Sequence, residues 1–121
     1  MVTIVNIGTL KAVPMPEPGR GRHVALINPE TGARSVDVHV NILRPGGPDG
    51  RYHYHPATEN VYIVLGGTGR FVAEGKEYTL SRDDVVFIPP NVRHSLSARG
   101  DVDFTVVEIY SGLPAEMRTV D

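Results

Sequence analysis

Two histidines separated by one residue, His53 and His55, are the pair in this sequence best placed to bind a metal ion. On a β-strand, residues i and i+2 project from the same face, so both imidazoles would point toward one ion. Glu59 follows at the predicted start of the next strand, and His94 comes after a proline-rich turn further along the chain. Three imidazoles and one carboxylate suit Fe, Mn, Ni, Zn, Co or Cu rather than Ca or Mg. The sequence therefore predicts one divalent transition metal ion and leaves its identity open.

A carboxylate and a phenol near the C-terminus are candidates for catalysis. Glu108 and Tyr110 share a face of the last predicted strand with Phe104 and Val106, so an apolar stripe ends in two polar side chains. If this face points inward, Glu108 is a candidate general base beside the metal, because a buried carboxylate is costly unless function or a partner retains it. The alternative is that the strand reaches solvent there.

Four other residues are candidates for binding a substrate. Arg51 and Arg93 each lie within two residues of a proposed histidine ligand, where a guanidinium can bind a carboxylate with two hydrogen bonds. His39 shares a strand face with polar neighbours, and Tyr54 is a candidate for the rim of the site. Each also has an ordinary explanation, as a solvated loop arginine, a strand histidine or a packing aromatic.

The elements that must position these residues are predicted to be strands. Apolar residues alternate with polar ones from Val36 to Ile42, the two-residue period of a β-strand. Further strands are predicted at His23–Ile27, Glu59–Leu65, Arg70–Ala73, Glu77–Leu80, Val85–Ile88, His94–Ala98 and Val102–Tyr110. Glycine, proline, asparagine and aspartate occupy the gaps between them, which accounts for 13 Gly and 10 Pro in 121 residues. The pattern predicts an all-β fold, with a hairpin tip at Glu74-Gly75-Lys76.

Composition narrows the function classes. A net charge of −2, with no run of like charge, argues against nucleic acid as a partner. The absence of cysteine excludes disulfides, thiolate metal sites and a cysteine nucleophile. No apolar run approaches the ~20 residues that span a bilayer, and the N-terminal residues do not resemble a signal peptide. We therefore expect a cytoplasmic protein with a small-molecule ligand and no membrane association.

The first histidine pair lies in a segment that resembles the cupin family. Residues Gly47 to Gly66 match every fixed position of the first cupin motif, G-x5-H-x-H-x3-E-x6-G. The second motif, G-x5-P-x-G-x2-H-x3-N, keeps Pro89 and His94, whereas Asp83, Asn91 and Ala98 replace its glycines and asparagine. Aspartate and asparagine tolerate a left-handed backbone, so we expect the turns at Asp83 and Asn91 to be retained.

The resemblance implies a double-stranded β-helix, or jelly-roll barrel, with His53, His55, Glu59 and His94 as metal ligands at its mouth. It also implies that Glu108 and Tyr110 reach a metal-bound substrate, as an acidic and an aromatic residue do in small cupins that open or isomerise sugar acids. We expect one cupin domain over residues 1–121, with a core barrel at about 35–110, an N-terminal segment at 1–22 and a tail at 111–121.

The ligand set leaves three functions open. Four protein ligands leave two adjacent octahedral positions for a bidentate substrate, which favours Lewis-acid isomerisation, ring opening, cyclisation or decarboxylation of a sugar acid, hydroxy acid or keto acid. With iron, one position would instead take dioxygen, as in cupin dioxygenases. The alternative from another class is a cupin that binds or senses a small ligand without turnover. Small cupins also commonly form homodimers, and Val2–Val13 is the predicted edge strand that would cross to a second subunit.

Overall fold

In the computed structural model, which describes residues 1–120, eleven strands form two antiparallel sheets. The strands are β1 (Val13–Pro14), β2 (Gly21–Ile27), β3 (Val36–Leu43), β4 (His53–Tyr54), β5 (Glu59–Gly66), β6 (Thr68–Ala73), β7 (Lys76–Leu80), β8 (Val85–Ile88), β9 (His94–Arg99), β10 (Phe104–Ser111) and β11 (Arg118–Thr119). One sheet has the order β1-β2-β3-β10-β5-β8 and the other β11-β4-β9-β6-β7. The predicted all-β class is confirmed, and the eight strands predicted at His23–Ile27, Val36–Ile42 and the six later ranges are present with boundaries within two residues of the prediction.

Strand β10 lies at the centre of the larger sheet, between β3 and β5. Its alternate residues Phe104, Val106 and Glu108 are buried, so the inward face of the strand runs from the hydrophobic core to a carboxylate. Phe104 is 0% exposed and packs against Gly69 of β6 in the other sheet, where a Cβ atom would lie 2.5 to 2.8 Å from the Phe104 ring. Burial of such an aromatic side chain stabilises the fold by about 1.5–3 kcal/mol.

The turns follow their residue types. Glu74 and Gly75 both have positive φ, of 50° and 79°, and join β6 to β7 in the two-residue hairpin that the sequence predicts. Asp83 and Asn91 have φ of 75° and 69°, which confirms that these residues replace the glycines of the second motif in left-handed turns. The ligand-bearing strand β9 therefore follows a tight turn despite the missing glycine.

Both ends of the chain differ from the sequence-based expectation. Residues 2–12 form no strand: they contain a 3-10 turn at Ile7–Thr9, and their large apolar side chains are exposed. Of the predicted edge strand Val2–Val13, only Val13 pairs, in β1 with β2. At the other end, within the predicted tail at 111–121, Arg118–Thr119 pairs with β4 as strand β11. No helix within residues 1–120 is long and apolar enough to cross a membrane.

Candidate metal centre and cavity

Three histidines from the smaller sheet converge on one point. His53 lies on β4 and pairs directly with His94, the first residue of β9, and His55 follows β4. One ring nitrogen from each lies within 4.8 Å of the others. His55 and His94 are 3% and 0% exposed, and His53 is half-buried. The sequence prediction that these three side chains share a site is confirmed in its geometry.

Backbone carbonyls fix which nitrogen of each ring faces the common point. The Nδ1 atoms donate to the carbonyl oxygens of Arg51 (His53, 2.7 Å), Glu116 (His55, 3.0 Å) and Val92 (His94, 2.8 Å). A carbonyl only accepts, so each neutral ring carries its proton on Nδ1 and presents an unprotonated Nε2. Such outer hydrogen bonds orient metal-binding histidines in general.

The Nε2 atoms fit a metal ion. Those of His55 and His94 are buried and have no hydrogen-bond partner within the described residues. A buried polar atom left without a partner is costly, and a divalent ion at the common point would satisfy both lone pairs. Burial lowers the pKa of His94 to about 4, which the carbonyl of Val92 only partly offsets, and burial also lowers the pKa of His53. The rings of His53 and His94 are therefore neutral, as metal binding requires, across the neutral pH range.

Glu59, the predicted fourth ligand, does not lie with the histidines. It is exposed at the start of β5, whereas the next residue, Asn60, is 1% exposed on the inward face. Alternation places Asn60, Tyr62 and Val64 inward and puts Glu59 on the opposite face. The motif spacing therefore selects a residue on the outward face of the strand. The outward residues Val61 and Ile63 are also apolar, so the sequence pattern does not distinguish the two faces of this strand.

Side chains from β3, β5 and β10 form a hydrogen-bonded group that we call the Glu108 network: Asp37, His39, Asn41, Asn60 and Glu108. One carboxylate oxygen of Glu108 accepts from His39 Nε2 at 2.8 Å and from Asn41 at 3.0 Å, and the other accepts from Asn60 at 3.0 Å. The second ring nitrogen of His39 donates to Asp37 at 2.7 Å. A histidine between two carboxylates donates from both nitrogens and is held as an imidazolium.

The charges in this network decide what Glu108 can do. Burial alone would raise its pKa, but the hydrogen bond and charge of His39 and the two asparagine amides outweigh burial and lower the pKa to about 2. Burial lowers the pKa of His39, but the hydrogen bonds and charges of Glu108 and Asp37 raise it by more, so the pKa is raised overall. Glu108 faces inward, as the catalytic prediction requires, but a carboxylate with three N–H donors and so low a pKa is a weak base. The expected role of general base is therefore not supported by its surroundings.

A cavity of about 440 Å³ adjoins the network. His39, Glu108 and Tyr110 line it from the sheet, and Arg20 lines it from the loop between β1 and β2. The Tyr110 ring lies 5.0 Å from that of His55 and 5.5 Å from that of His39, so it connects the cavity to the histidines. Burial, together with the charges of Glu108 and Asp37, raises the pKa of Tyr110, which keeps the phenol protonated.

Arg20 is a cavity residue that the sequence analysis missed. Its guanidinium donates to the carbonyl of Leu96 at 3.3 Å and lies 3.6 Å from Glu17, while Nε is buried without a partner in the described part of the chain. Gly50 leaves room for it, since a Cβ there would collide with the guanidinium and with the Leu96 carbonyl. The segment around Arg20 is rich in proline and glycine and has no periodic pattern, so no sequence signal marks its side chain as inward.

The other predicted substrate ligands lie outside this cavity. Arg51 and Arg93 are both exposed, and the guanidinium of Arg93 stacks 4.4 Å above the ring of Tyr54 instead of facing the histidines. Arg51 contributes through its backbone carbonyl, which orients His53. His39, by contrast, lies in the cavity wall.

Comparison with known proteins agrees with the motif and the sheets. The cupin domain model matches residues 39–110, and the chain belongs to the cupin family. The structure is a double-stranded β-helix.

Sequence relatives span several kinds of protein. Mannose-1-phosphate guanylyltransferase from Klebsiella pneumoniae is 34% identical over 70 residues, which cover 58% of this chain and 15% of the relative. Protein SchB from Streptomyces halstedii is 34% identical over 94 residues, which cover 76% of this chain and 67% of that one. Tetracenomycin polyketide synthase protein TcmJ from Streptomyces glaucescens is 28% identical over 83 residues, or 69% of this chain and 56% of that protein. The chain thus spans only about 15% of the length of the guanylyltransferase relatives.

Solved structures share the fold. The polyketide cyclase RemF from Streptomyces resistomycificus superimposes with a TM-score of 0.86 at 22% identity, over 100% of this chain and 87% of RemF. KdgF from Halomonas sp. superimposes with a TM-score of 0.80 at 18% identity, over 93% of this chain and 94% of KdgF. At these identities the likeness concerns the fold alone.

Proposed function

We propose that this protein is a metal-dependent cupin enzyme that binds a small, oxygen-rich, anionic metabolite and promotes its cyclisation without net oxidation. The observation that carries the proposal is the convergence of three imidazoles whose Nε2 atoms have no other partner, next to a polar cavity of about 440 Å³. A divalent ion held by His53, His55 and His94 would supply Lewis-acid polarisation of a substrate carbonyl.

The residues of the cavity suit a substrate with several oxygens. Arg20 offers an unpaired, buried N–H to an anionic oxygen, which favours a carboxylate or an enolate. Tyr110 keeps its proton and can donate a hydrogen bond to a carbonyl beside the histidines. These two groups would hold the ends of a substrate whose reacting carbonyl faces the ion.

A β-dicarbonyl compound has the chemistry that this arrangement favours. Its two carbonyl oxygens are spaced to chelate one ion, and polarisation makes the carbon between them acidic. Transfer of that proton to solvent water, attack of the resulting carbanion on a carbonyl further along the same molecule, and loss of that carbonyl's oxygen as water close a ring, and no redox partner is consumed. The printed names of the relative TcmJ and of the fold neighbour RemF refer to polyketides, and poly-β-ketones belong to this chemical class. Sugar acids and keto acids are the competing substrates from the sequence analysis.

The test is turnover by defined metal-loaded samples. Protein stripped with a chelator and reloaded with Zn²⁺, Mn²⁺, Ni²⁺ or Fe²⁺ would be incubated, anaerobically and in air, with linear β-polyketones, sugar acids and dicarboxylates, and products would be separated by mass. We expect a dehydrated cyclic product from a β-polyketone, abolished in a His94→Ala variant and retained in Arg93→Gln. Turnover only with Fe²⁺ and dioxygen would replace cyclisation by dioxygenase chemistry. Ligand binding with no turnover for any metal would favour the sensor alternative and overturn the proposal.

A further inference from the structure

We propose that Asn60, rather than the motif residue Glu59, supplies the fourth protein donor to the metal ion, through its side-chain oxygen Oδ1. The inference rests on the proposed metal site and concerns which residue completes it. Asn60 is 1% exposed, and Oδ1 is a buried side-chain oxygen with no partner within residues 1–120. His55 Nε2 and His94 Nε2, which face the proposed metal position, are likewise buried without a hydrogen-bond partner in the described residues.

Neighbouring rings place Asn60 beside the histidines. On its own strand, the next inward residue is Tyr62, whose ring lies 6.4 Å from that of His94. Across the strand pair, Asn60 lies opposite Tyr110, whose ring lies 5.0 Å from that of His55. Asn60 is therefore flanked by the side chains that contact two of the three imidazoles. Glu59 lies on the other face of β5, in solvent.

The Glu108 network determines which end of the Asn60 amide is free. Glu108 is ionised and can only accept, so the group 3.0 Å from its Oε2 must be the amide nitrogen Nδ2. The amide oxygen is then the atom directed away from Glu108. His39 and Asn41 hold Glu108 from the other side, and Asp37 holds His39. Asp37, His39, Asn41 and Glu108 are thus positioning residues for one amide, in the manner of outer hydrogen bonds that orient metal ligands.

A neutral amide donor changes the charge of the site. Three imidazoles and an amide leave the full positive charge on the ion, whereas a carboxylate would neutralise half of it. The ion would then favour an anionic substrate and polarise a carbonyl more strongly, which agrees with the anion-binding role given to Arg20. The four-donor set is mixed nitrogen and oxygen and remains suited to Zn, Mn, Ni, Co or Fe.

The experiment compares metal affinity in two adjacent variants. Zn²⁺ and Co²⁺ dissociation constants would be measured by competition with a chromophoric chelator for the wild type, Asn60→Leu and Glu59→Leu, and the visible spectrum of the Co²⁺ form would report coordination. We expect Asn60→Leu to lose about 10- to 100-fold in affinity, the range found when groups around a metal site are removed, with a changed Co²⁺ spectrum. Glu59→Leu should match the wild type in both readouts.

The Asn60→Asp variant is the control for a general loss of structure in Asn60→Leu, because aspartate keeps an oxygen at the same distance from the backbone. We expect it to bind metal at least as tightly as the wild type, while its metal-free form melts at a lower temperature because a second carboxylate faces Glu108. A loss of affinity in Glu59→Leu, or none in Asn60→Leu, overturns the inference and leaves the proposed function standing. Absence of metal binding by the wild type overturns both.

Discussion

Acidification should destabilise the metal-free protein through His94, and one substitution should remove the effect. The unfolded chain holds a proton on this histidine below its ordinary pKa of 6.5, whereas the folded chain does so only below about 4. Between these values the unfolded state binds more protons, so the free energy of unfolding falls as the pH falls. At about 1.36 kcal/mol for each pH unit, the loss attributable to His94 is about 3 kcal/mol.

Other titrating groups of the site can be separated from this effect. The lowered pKa of His53 acts in the same direction and adds to the loss. The raised pKa of His39 has the opposite effect, because protonation of His39 stabilises the folded state. This stabilisation develops above pH 6.5 and no longer changes below it. The carboxyl of Glu108 contributes below pH 4.5, its ordinary pKa. The interval from pH 6.5 to 4.5 therefore reports mainly on the buried imidazoles.

The assay is urea unfolding of chelator-stripped protein at a series of pH values from 8 to 4.5, for the wild type and His94→Gln. Glutamine has no titrating group and retains an N–H donor for the Val92 carbonyl. We expect the free energy of unfolding of the wild type to fall steeply with acidification. That of the variant should fall less, and the difference between the two losses should equal most of the His94 contribution. Equal pH dependence in the two proteins would refute the buried, neutral state of His94.

Three further predictions follow from other parts of the structure. Gly69→Ala should destabilise the fold by about 1–3 kcal/mol, because the new methyl group collides with Phe104. At Gly66 a Cβ atom would have no neighbour within 4 Å, so Gly66→Ala should leave stability nearly unchanged. Thermal melts of the two variants would measure the difference. With a substrate in hand, Arg20→Gln should raise KM at least about tenfold through loss of a charged hydrogen bond of about 1.5–3 kcal/mol, and exposed Arg93→Gln should leave KM unchanged; equal values in the two variants would contradict the assignment. A divalent ion at 100 times its dissociation constant should stabilise the wild type by about 2.7 kcal/mol, measured as a rise in melting temperature that His53→Ala does not show.

The fold followed from local sequence features. Alternation from Val36 to Ile42 and the turn residues between strands predicted the sheets, and Asp83 and Asn91 adopt the left-handed turns that their chemistry permits. These features depend on a few neighbouring residues, so they can be identified without the tertiary structure.

The site could be predicted only where spacing determines it. His53 and His55 share a face because of the two-residue period, and the cupin motif added His94. The prediction of Glu59 as a ligand placed it on the wrong face, because β5 is apolar on both faces and its register depends on pairing with β10. Arg20 was missed because its contact with Leu96 joins residues 76 positions apart. The low pKa of Glu108 likewise depends on donors from β3 and β5 that only the folded chain assembles.

The most direct test of the account is the stoichiometry of metal binding to the three histidines. Chelator-stripped protein would be titrated with Zn²⁺ by calorimetry, alongside a variant in which His53, His55 and His94 are all replaced by alanine and whose fold is checked by circular dichroism. We expect one ion per chain in the wild type and none in the folded variant. No binding by the wild type, or unchanged binding by the variant, would contradict the metal centre on which the proposed function rests.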